Sequence, residues 1–275
     1  ALVMLLQLLP FLPYLILAGV AAGILAGLFG IGGGAVLVPV LFTVLTTLNV
    51  PASDAMAMAL ATSLACIVPT AVSSSYSHYK KNHVQVIILK RWWLGILVGT
   101  LLGAQVINYW RSPYLMLYFS VFLIFVAINQ VRPKKTVTRQ LPAKPWHYLA
   151  SFVQGFLSVL AGVGGGTIGV PILLAMGLSI HQAIGTSAAL GLFISVFTSA
   201  VMLATSHAPQ AAPVGSIGLI YVPALFVLTP ISSVMAPVGV WLNKRLPEAW
   251  LVRLFAVFLL LVAGRMGYLA FEGIV

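Results

Sequence analysis

Carboxyl groups are almost absent from this chain of 275 residues. It has three acidic residues, Asp54, Glu248 and Glu272, against fourteen Lys and Arg, and only 6% of its residues are charged. A soluble globular protein carries about 25% charged residues. The scarcity excludes the paired carboxylates that a membrane-embedded hydrolase would need, and neither an HExxH motif nor a Ser-His-Asp set is present. We therefore expect neither an enzyme nor a bound cofactor.

Cysteine is equally scarce, because Cys66 is the only one in the sequence. A single cysteine excludes an internal disulfide and a cysteine metal cluster, so no metal site is predicted. The net charge of +11 comes without a basic stripe interleaved with aromatic residues. We expect basic residues in cytoplasmic loops, where they set the orientation of a membrane protein, and no nucleic-acid partner.

Long apolar runs are what the chain has in abundance, with 61% hydrophobic residues. Several runs exceed the length of about 18 residues that indicates a membrane-spanning helix. The sequence therefore predicts an all-α, multi-pass protein of the lipid bilayer. The predicted segments are 13–30, 35–48, 55–77, 92–110 and 114–130 in the first half, and 148–162, 167–177, 182–205, 217–242 and 250–271 in the second.

The two halves repeat one another. The word GLFGIGGG at Gly27–Gly34 returns as VLAGVGGG at Val159–Gly166, and a proline follows each word at the same distance, as Pro39 and Pro171. A Thr-Ser pair then lies in the next segment of each half. We predict a duplication with a first repeat at 1–131, a basic, proline-bearing cytoplasmic linker at 132–145 and a second repeat at 146–275.

The distribution of lysine and arginine predicts how the repeats are oriented. Basic residues cluster at 80–91, in the linker and at 244–253, while Arg111 and Arg265 fall on the opposite side. Each repeat would contain one glycine-broken helix pair and three further crossings. An odd total inverts the second repeat relative to the first, as in many secondary transporters.

The glycine words predict two breaks near the middle of the membrane. We expect each to lead into extended residues and then a short helix that begins near its proline. Convergent N–H groups and helix N-termini favour an anion, whereas close helix packing is the alternative explanation of the glycines. A nucleotide loop is excluded, because Ala35 and Thr167 stand where Lys and Ser/Thr would be needed. The candidate ligands are Gly30, Gly32, Gly33, Gly34, Gly162, Gly164, Gly165, Gly166 and Thr167.

The hydroxyls of Thr62, Ser63, Thr186 and Ser187 are the next candidates. They occupy matching positions in the two halves, and a hydroxyl donates to an oxyanion without carrying charge. The alternative is that each bonds back to its own helix. Arg265 is a less certain candidate, because snorkelling to the outer interface is the favoured explanation of its position.

The words GIGGGAVLVPVL and GVGGGTIGVPIL, with ATS at Ala61–Ser63 and GTSAA at Gly185–Ala189, resemble the TauE/SafE sulfite-exporter family over nearly the whole chain. The resemblance implies a transporter of the bacterial inner membrane that exports sulfite, sulfoacetate or a related small organosulfur anion. An alternating-access carrier and an anion channel would use the same site.

A coupling ion and the oligomeric state are left open by the sequence. A proton-coupled carrier usually keeps an acid or a histidine in its pathway. His78, His181 and His207 lie near predicted membrane boundaries, so we expect wetted, interfacial rings, with a proton pathway as the alternative.

Overall fold

The computed structural model describes residues 8–30, 32–110, 113–131, 144–242 and 248–274. Within these ranges the chain forms ten α-helices and one short β-hairpin. The first half contains a 3-10 turn (Leu9–Phe11), α1 (Leu12–Phe29), α2 (Gly34–Thr47), α3 (Ala52–Tyr79), α4 (Val86–Tyr109) and α5 (Pro113–Val131). The second half contains α6 (Lys144–Leu160), α7 (Gly166–Ala175), α8 (Ile180–Thr205), β1 (Ser216–Ile217), β2 (Ile220–Tyr221), α9 (Val222–Leu242) and α10 (Glu248–Ile274).

The helices follow the predicted apolar segments closely, and the all-α prediction is confirmed. Five helical stretches in the described ranges are long and apolar enough to cross a bilayer, namely Leu9–Phe29, α3, α4, α8 and α9. By contrast, α7 has ten residues and a length of about 15 Å, half the thickness of the hydrocarbon core. The molecule is a multi-pass membrane protein with short helices among its long ones.

The expectation of extended residues before the two prolines is wrong. Helix α2 begins at Gly34 and α7 at Gly166, so Pro39 and Pro171 each lie inside a helix. A proline in the second turn removes only one backbone hydrogen bond. The preceding residues, Val38 and Val170, are buried, and their packing outweighs the local bias against helix before proline.

A second difference concerns the segment predicted to start a helix at residue 217. Residues 216–221 instead form the antiparallel hairpin, with Ser216 opposite Tyr221. Gly218 takes a φ of +56°, which the turn requires and which glycine adopts without strain. Helix α9 therefore begins only at Val222.

The two halves pack against each other mainly through helix–helix contacts between them. Helix α1 packs mainly on α9 of the other half, and α4 packs mainly on α6. Helix α3 contacts α8 and α9, α4 contacts α8, and α5 contacts α10. Every one of these contacts has its counterpart when the halves are interchanged, as the predicted duplication would require.

Glycines permit the closest helix contacts. Gly19, Gly23 and Gly27 face α9, and the carbonyl oxygens of Ser232 and Ala236 occupy the space that a Cβ at Gly23 or Gly27 would need. On α4, three glycines with the same spacing face α6 in the same manner, Gly95, Gly99 and Gly103. In each pair the contacts advance in the same direction along both helices, so α1 runs parallel to α9 and α4 parallel to α6.

The predicted linker lies outside the described residues except at its end. Lys144 and Pro145 form the start of α6, so the helix begins before the predicted boundary at residue 146. Arg111, Lys244 and Arg245, on which part of the charge asymmetry depends, also lie outside the described residues. The division into repeats and the sidedness stay predictions.

Candidate functional site

The two glycine words lie against each other at the centre of the molecule. A Cβ built on Gly32 would be 3.0 Å from Cα of Gly164. A Cβ on Gly34 would strike the carbonyl oxygen of Gly162. The breaks between α1 and α2 and between α6 and α7, which are 132 positions apart in the sequence, thus share one contact surface.

The two breaks have different backbone conformations. In the first, Gly30, Gly32 and Gly33 have φ values of +67°, +77° and +79°. In the second, Gly162 has a φ of +61°, whereas Gly165 is right-handed at −64°. A residue other than glycine would be strained at the left-handed positions, so the first break depends more strongly on glycine than the second.

Backbone N–H groups at both breaks have no acceptor in the described part of the chain. Among the described residues, no hydrogen bond uses the N–H of Gly32, Gly33 or Gly34 in the first break, nor those of Gly164, Gly165 and Gly166 in the second. All of these glycines are buried. Buried N–H groups are nearly always paired with protein, water or a ligand, so the breaks form a donor-rich and uncharged site.

A small cavity of about 10 Å³ lies between the breaks and is partly open to the surface. Its wall combines Gly30 and Gly32 with Gly164 and with residues of α1, α3 and α8, Ala26, Ile67, Ala71, Ser74, Ala188 and Gly191. Of the described residues that line it, none is charged. A volume of this size holds about one water molecule, so a larger ligand needs the two breaks to move apart.

The two threonines of the candidate set are bound to backbone N–H groups. Thr62 Oγ1 accepts a hydrogen bond from the N–H of Tyr221 at 2.9 Å, and Thr186 Oγ1 accepts one from the N–H of Gln85 at 2.9 Å. Both donors stand directly before the fourth helix of the opposite half, α9 and α4. These hydroxyls therefore join the halves, and neither bonds back to its own helix.

The two serines behave differently from the threonines and from each other. Ser63 Oγ donates to the carbonyl of Gly162 at 2.9 Å and so joins α3 to the second break. Ser187 Oγ is buried, with no hydrogen-bond partner among the described residues, and so is Thr167 Oγ1. Ser187 lies beside the second break, where its carbonyl blocks the Cβ position of Gly165.

One polar residue of this region was missed in the sequence analysis. Gln154 is fully buried on α6, and its Nε2 donates to the carbonyl of Gly165 at 3.0 Å, while Oε1 has no partner in the described part of the chain. Gly169 makes room for this amide, since a Cβ there would be 2.5 Å from Nε2 and 2.6 Å from Ser187 Oγ. The available signal was a lone amide inside an apolar segment.

Two of the weaker candidates lie elsewhere than the central site. Arg265 is exposed on α10, which packs mainly on α5, and it does not line the cavity. His78, expected to be wetted, is only 2% exposed, and its Nε2 lies 3.2 Å from the carbonyl of Gly27. Its burial results from the packing of the α3 end against α1.

Apolar spanning helices surround an uncharged, donor-lined centre, an arrangement compatible with a membrane transport protein. The chain belongs to the sulfite exporter TauE/SafE family, whose model matches residues 15–266, as the glycine words had indicated. A relative from Haemophilus influenzae, described as a probable membrane transporter protein, is 34% identical over 91% of this chain and 96% of its own length.

More distant relatives carry the same description. One from Bacillus subtilis, YunE, is 27% identical over 94% of this chain and 97% of its own. Another, from Methanocaldococcus jannaschii, is 31% identical over 64% of this chain and 66% of its own. No solved structure matches the chain. The protein is thus a membrane transporter by family.

Proposed function

We propose that the protein is a carrier that exports a small sulfur oxyanion or organosulfonate, such as sulfite or sulfoacetate, across a bacterial inner membrane. The anion binds between the two glycine breaks after they move apart, since the cavity described above holds about one water molecule. The unpaired N–H groups of Gly32–Gly34 and Gly164–Gly166 carry this proposal. Oriented N–H groups and the starts of α2 and α7 supply positive potential without a buried lysine or arginine.

Side-chain donors extend the site on the second-repeat side. Ser187 Oγ and Thr167 Oγ1 are buried and unpaired, and each hydroxyl has a proton to offer to an oxyanion. Gln154 holds the Gly165 carbonyl away from the anion by bonding it. The hydroxyls of Thr62, Ser63 and Thr186 do not contact the anion and instead stabilise the surrounding backbone through their hydrogen bonds to it.

Inverted repeats and alternating access are the second part of the proposal. Helix α3 runs parallel to α9, since Thr62, Thr70 and Lys81 bond in order to Tyr221, Ser232 and Val240. Helix α4 runs parallel to α8, since Gln85 bonds Thr186 and Asn108 bonds Thr205. These directions support opposite orientations of equivalent helices, which place a central site between two halves that rock against each other.

The alternative explanation, close packing, also has support at several glycines. A Cβ at Gly33 would lie 2.7 Å from atoms of Ala22, and one at Gly165 would strike the carbonyl of Ser187. Valine at either position would therefore disturb the fold as well as the site. Substitution of the glycines does not separate the two explanations, and hydroxyl variants are the sharper probe.

The decisive experiment is counterflow in proteoliposomes. Vesicles loaded with unlabelled sulfite or sulfoacetate should accumulate the labelled anion from outside, because a carrier exchanges its substrate. A panel of sulfate, thiosulfate, taurine and carboxylates defines the anion, and protein-free vesicles are the control. Rapid equilibration without trans-stimulation would favour a channel, and no flux of any anion in the panel would contradict the proposed function.

A further inference from the structure

Three histidines from different parts of the chain come together at one end of the molecule. The ring of His78 on α3 lies 5.9 Å from that of His83 in the α3–α4 connection, and His83 stacks at 5.2 Å on His181 near the start of α8. His78 is buried, His83 is half-buried and His181 is exposed. The rings therefore form a file that leads from the surface into the protein.

The inner end of this file lies next to the proposed anion cavity without lining it. His78 lies one helical turn beyond Ser74, which lines the cavity and donates to the carbonyl of Ala26. The next carbonyl of α1, that of Gly27, is bonded by His78 Nε2. Since a carbonyl only accepts, Nε2 carries a hydrogen, and a proton taken up by His78 goes to Nδ1.

The surroundings of His78 both favour and oppose a second proton. The carbonyl end of α1 favours a cation there through the helix dipole. Burial of the ring opposes it most strongly, and His83, Lys81 and His181 add repulsion. Lys80 lies at the same end, and Lys81 Nζ bonds the carbonyl of Val240 at the end of α9. No carboxylate from the described residues faces the file, so a bound proton has no fixed counter-charge.

We propose that His78, His83 and His181 form a proton-binding file, and that a proton on His78 accompanies the anion in the transport cycle. This rests on the proposed function. The charge-free cavity gains one positive charge beside the anion when His78 is protonated, and it returns to neutral when anion and proton leave together. His83 and His181 exchange the proton with the aqueous phase, directly or through a bridging water.

Proton co-movement with sulfoacetate is the direct test. This anion has no group that titrates near neutral pH, so it carries no proton of its own. Vesicles with an internal pH dye should acidify inside when sulfoacetate enters through the parent protein. His78→Gln, whose amide still donates to Gly27 but carries no charge, should weaken counterflow in part and slow acidification much more, by about 100-fold, the lower range for a positioned proton-transfer group.

Substitutions of the two outer histidines and of a control histidine test the rest of the file. His83→Gln and His181→Gln, at less buried positions, should slow acidification several-fold with unchanged counterflow. His207→Gln changes an exposed histidine in the segment that follows α8 and should behave as the parent. Acidification at the parental rate in His78→Gln, or counterflow without acidification in the parent, would overturn the proton file.

A second measurement does not require transport. If the parent moves no sulfoacetate, the proposed function fails for this anion, and histidine NMR of the purified protein in detergent still tests the file. Rings at these distances repel when charged, so His83→Gln should change the titration of His78. A titration of His78 that is unchanged by the loss of His83 would refute the file.

Discussion

Neighbouring residues on α8 provide a sharp test of the site, because their hydroxyls are equally buried and have opposite roles. Thr186 and Ser187 are both 0% exposed. Thr186 Oγ1 accepts the N–H of Gln85, whereas Ser187 Oγ has no partner in the described structure. We expect Thr186→Val to destabilise the protein, and Ser187→Ala to weaken anion binding without loss of stability.

The magnitudes follow from the hydrogen bonds. Thr186→Val keeps the shape of the side chain and leaves the N–H of Gln85 unpaired, which costs about 1–3 kcal/mol. At about 2–4 °C per kcal/mol for a chain of this size, the apparent melting temperature should fall by several degrees. Ser187→Ala removes a buried hydroxyl that is already unpaired, so stability should hold or rise. Loss of one bond to the anion costs about 1–2 kcal/mol, or roughly 5–30-fold in Kd.

The assay is thermal unfolding in detergent, with and without increasing sulfite or sulfoacetate. The unliganded melting temperature reports the structural role, and the ligand-dependent rise reports binding. Monodispersity of both variants is the control. If Ser187→Ala destabilises the protein as much as Thr186→Val does and binds the anion normally, Ser187 has a structural partner and lies outside the site.

Three further outcomes are expected. Gly23→Val should lower the melting temperature strongly, because Ser232 leaves no space for its Cβ, whereas Gly264→Val, with nothing within 4 Å, should not; equal effects would contradict the α1–α9 packing. Gln154→Leu should weaken anion binding severalfold and lower the melting temperature only slightly, because the Gly165 carbonyl keeps its bond from the Gly169 N–H. Thermal unfolding with increasing sulfite or sulfoacetate checks both effects. A cysteine at Thr138 in a Cys66→Ser background should react with an impermeant reagent only after the membrane is permeabilised, and labelling in intact cells would contradict a cytoplasmic linker.

Helices and the central pairing of the breaks were predictable from composition and repetition. Apolar runs of sufficient length predict spanning helices whatever they pack against. The word GIGGG in the first half and GVGGG in the second predict equivalent backbone breaks, and the predicted inverted repeat would bring these breaks face to face. The contact between Gly32 and Gly164 is the physical consequence.

Partners that depend on tertiary contact were not predictable. The bond from Tyr221 to Thr62 joins residues 159 positions apart, and nothing local to either residue indicates it. The helical state of Val38 before Pro39 contradicts the local bias, because burial decides it. His83 and His181 stack only because the α3–α4 connection packs on the start of α8, where a Cβ on Gly185 would be 2.7 Å from the His83 carbonyl.

The lack of charge that marks the sequence also explains why glycine would serve a carrier at this point. A lysine buried beside the cavity would either lose its proton or hold an anion tightly, and a carrier must release what it binds. A neutral N–H contributes only about 0.5–1.5 kcal/mol net per hydrogen bond, so a few such bonds bind an anion moderately and reversibly. Glycine exposes these N–H groups at close range, and a buried histidine adds positive charge only while it holds a proton. On the proposed function, the scarcity of fixed charge and the repeated glycine word are therefore two aspects of one requirement, which is to bind an anion inside a membrane and let it go.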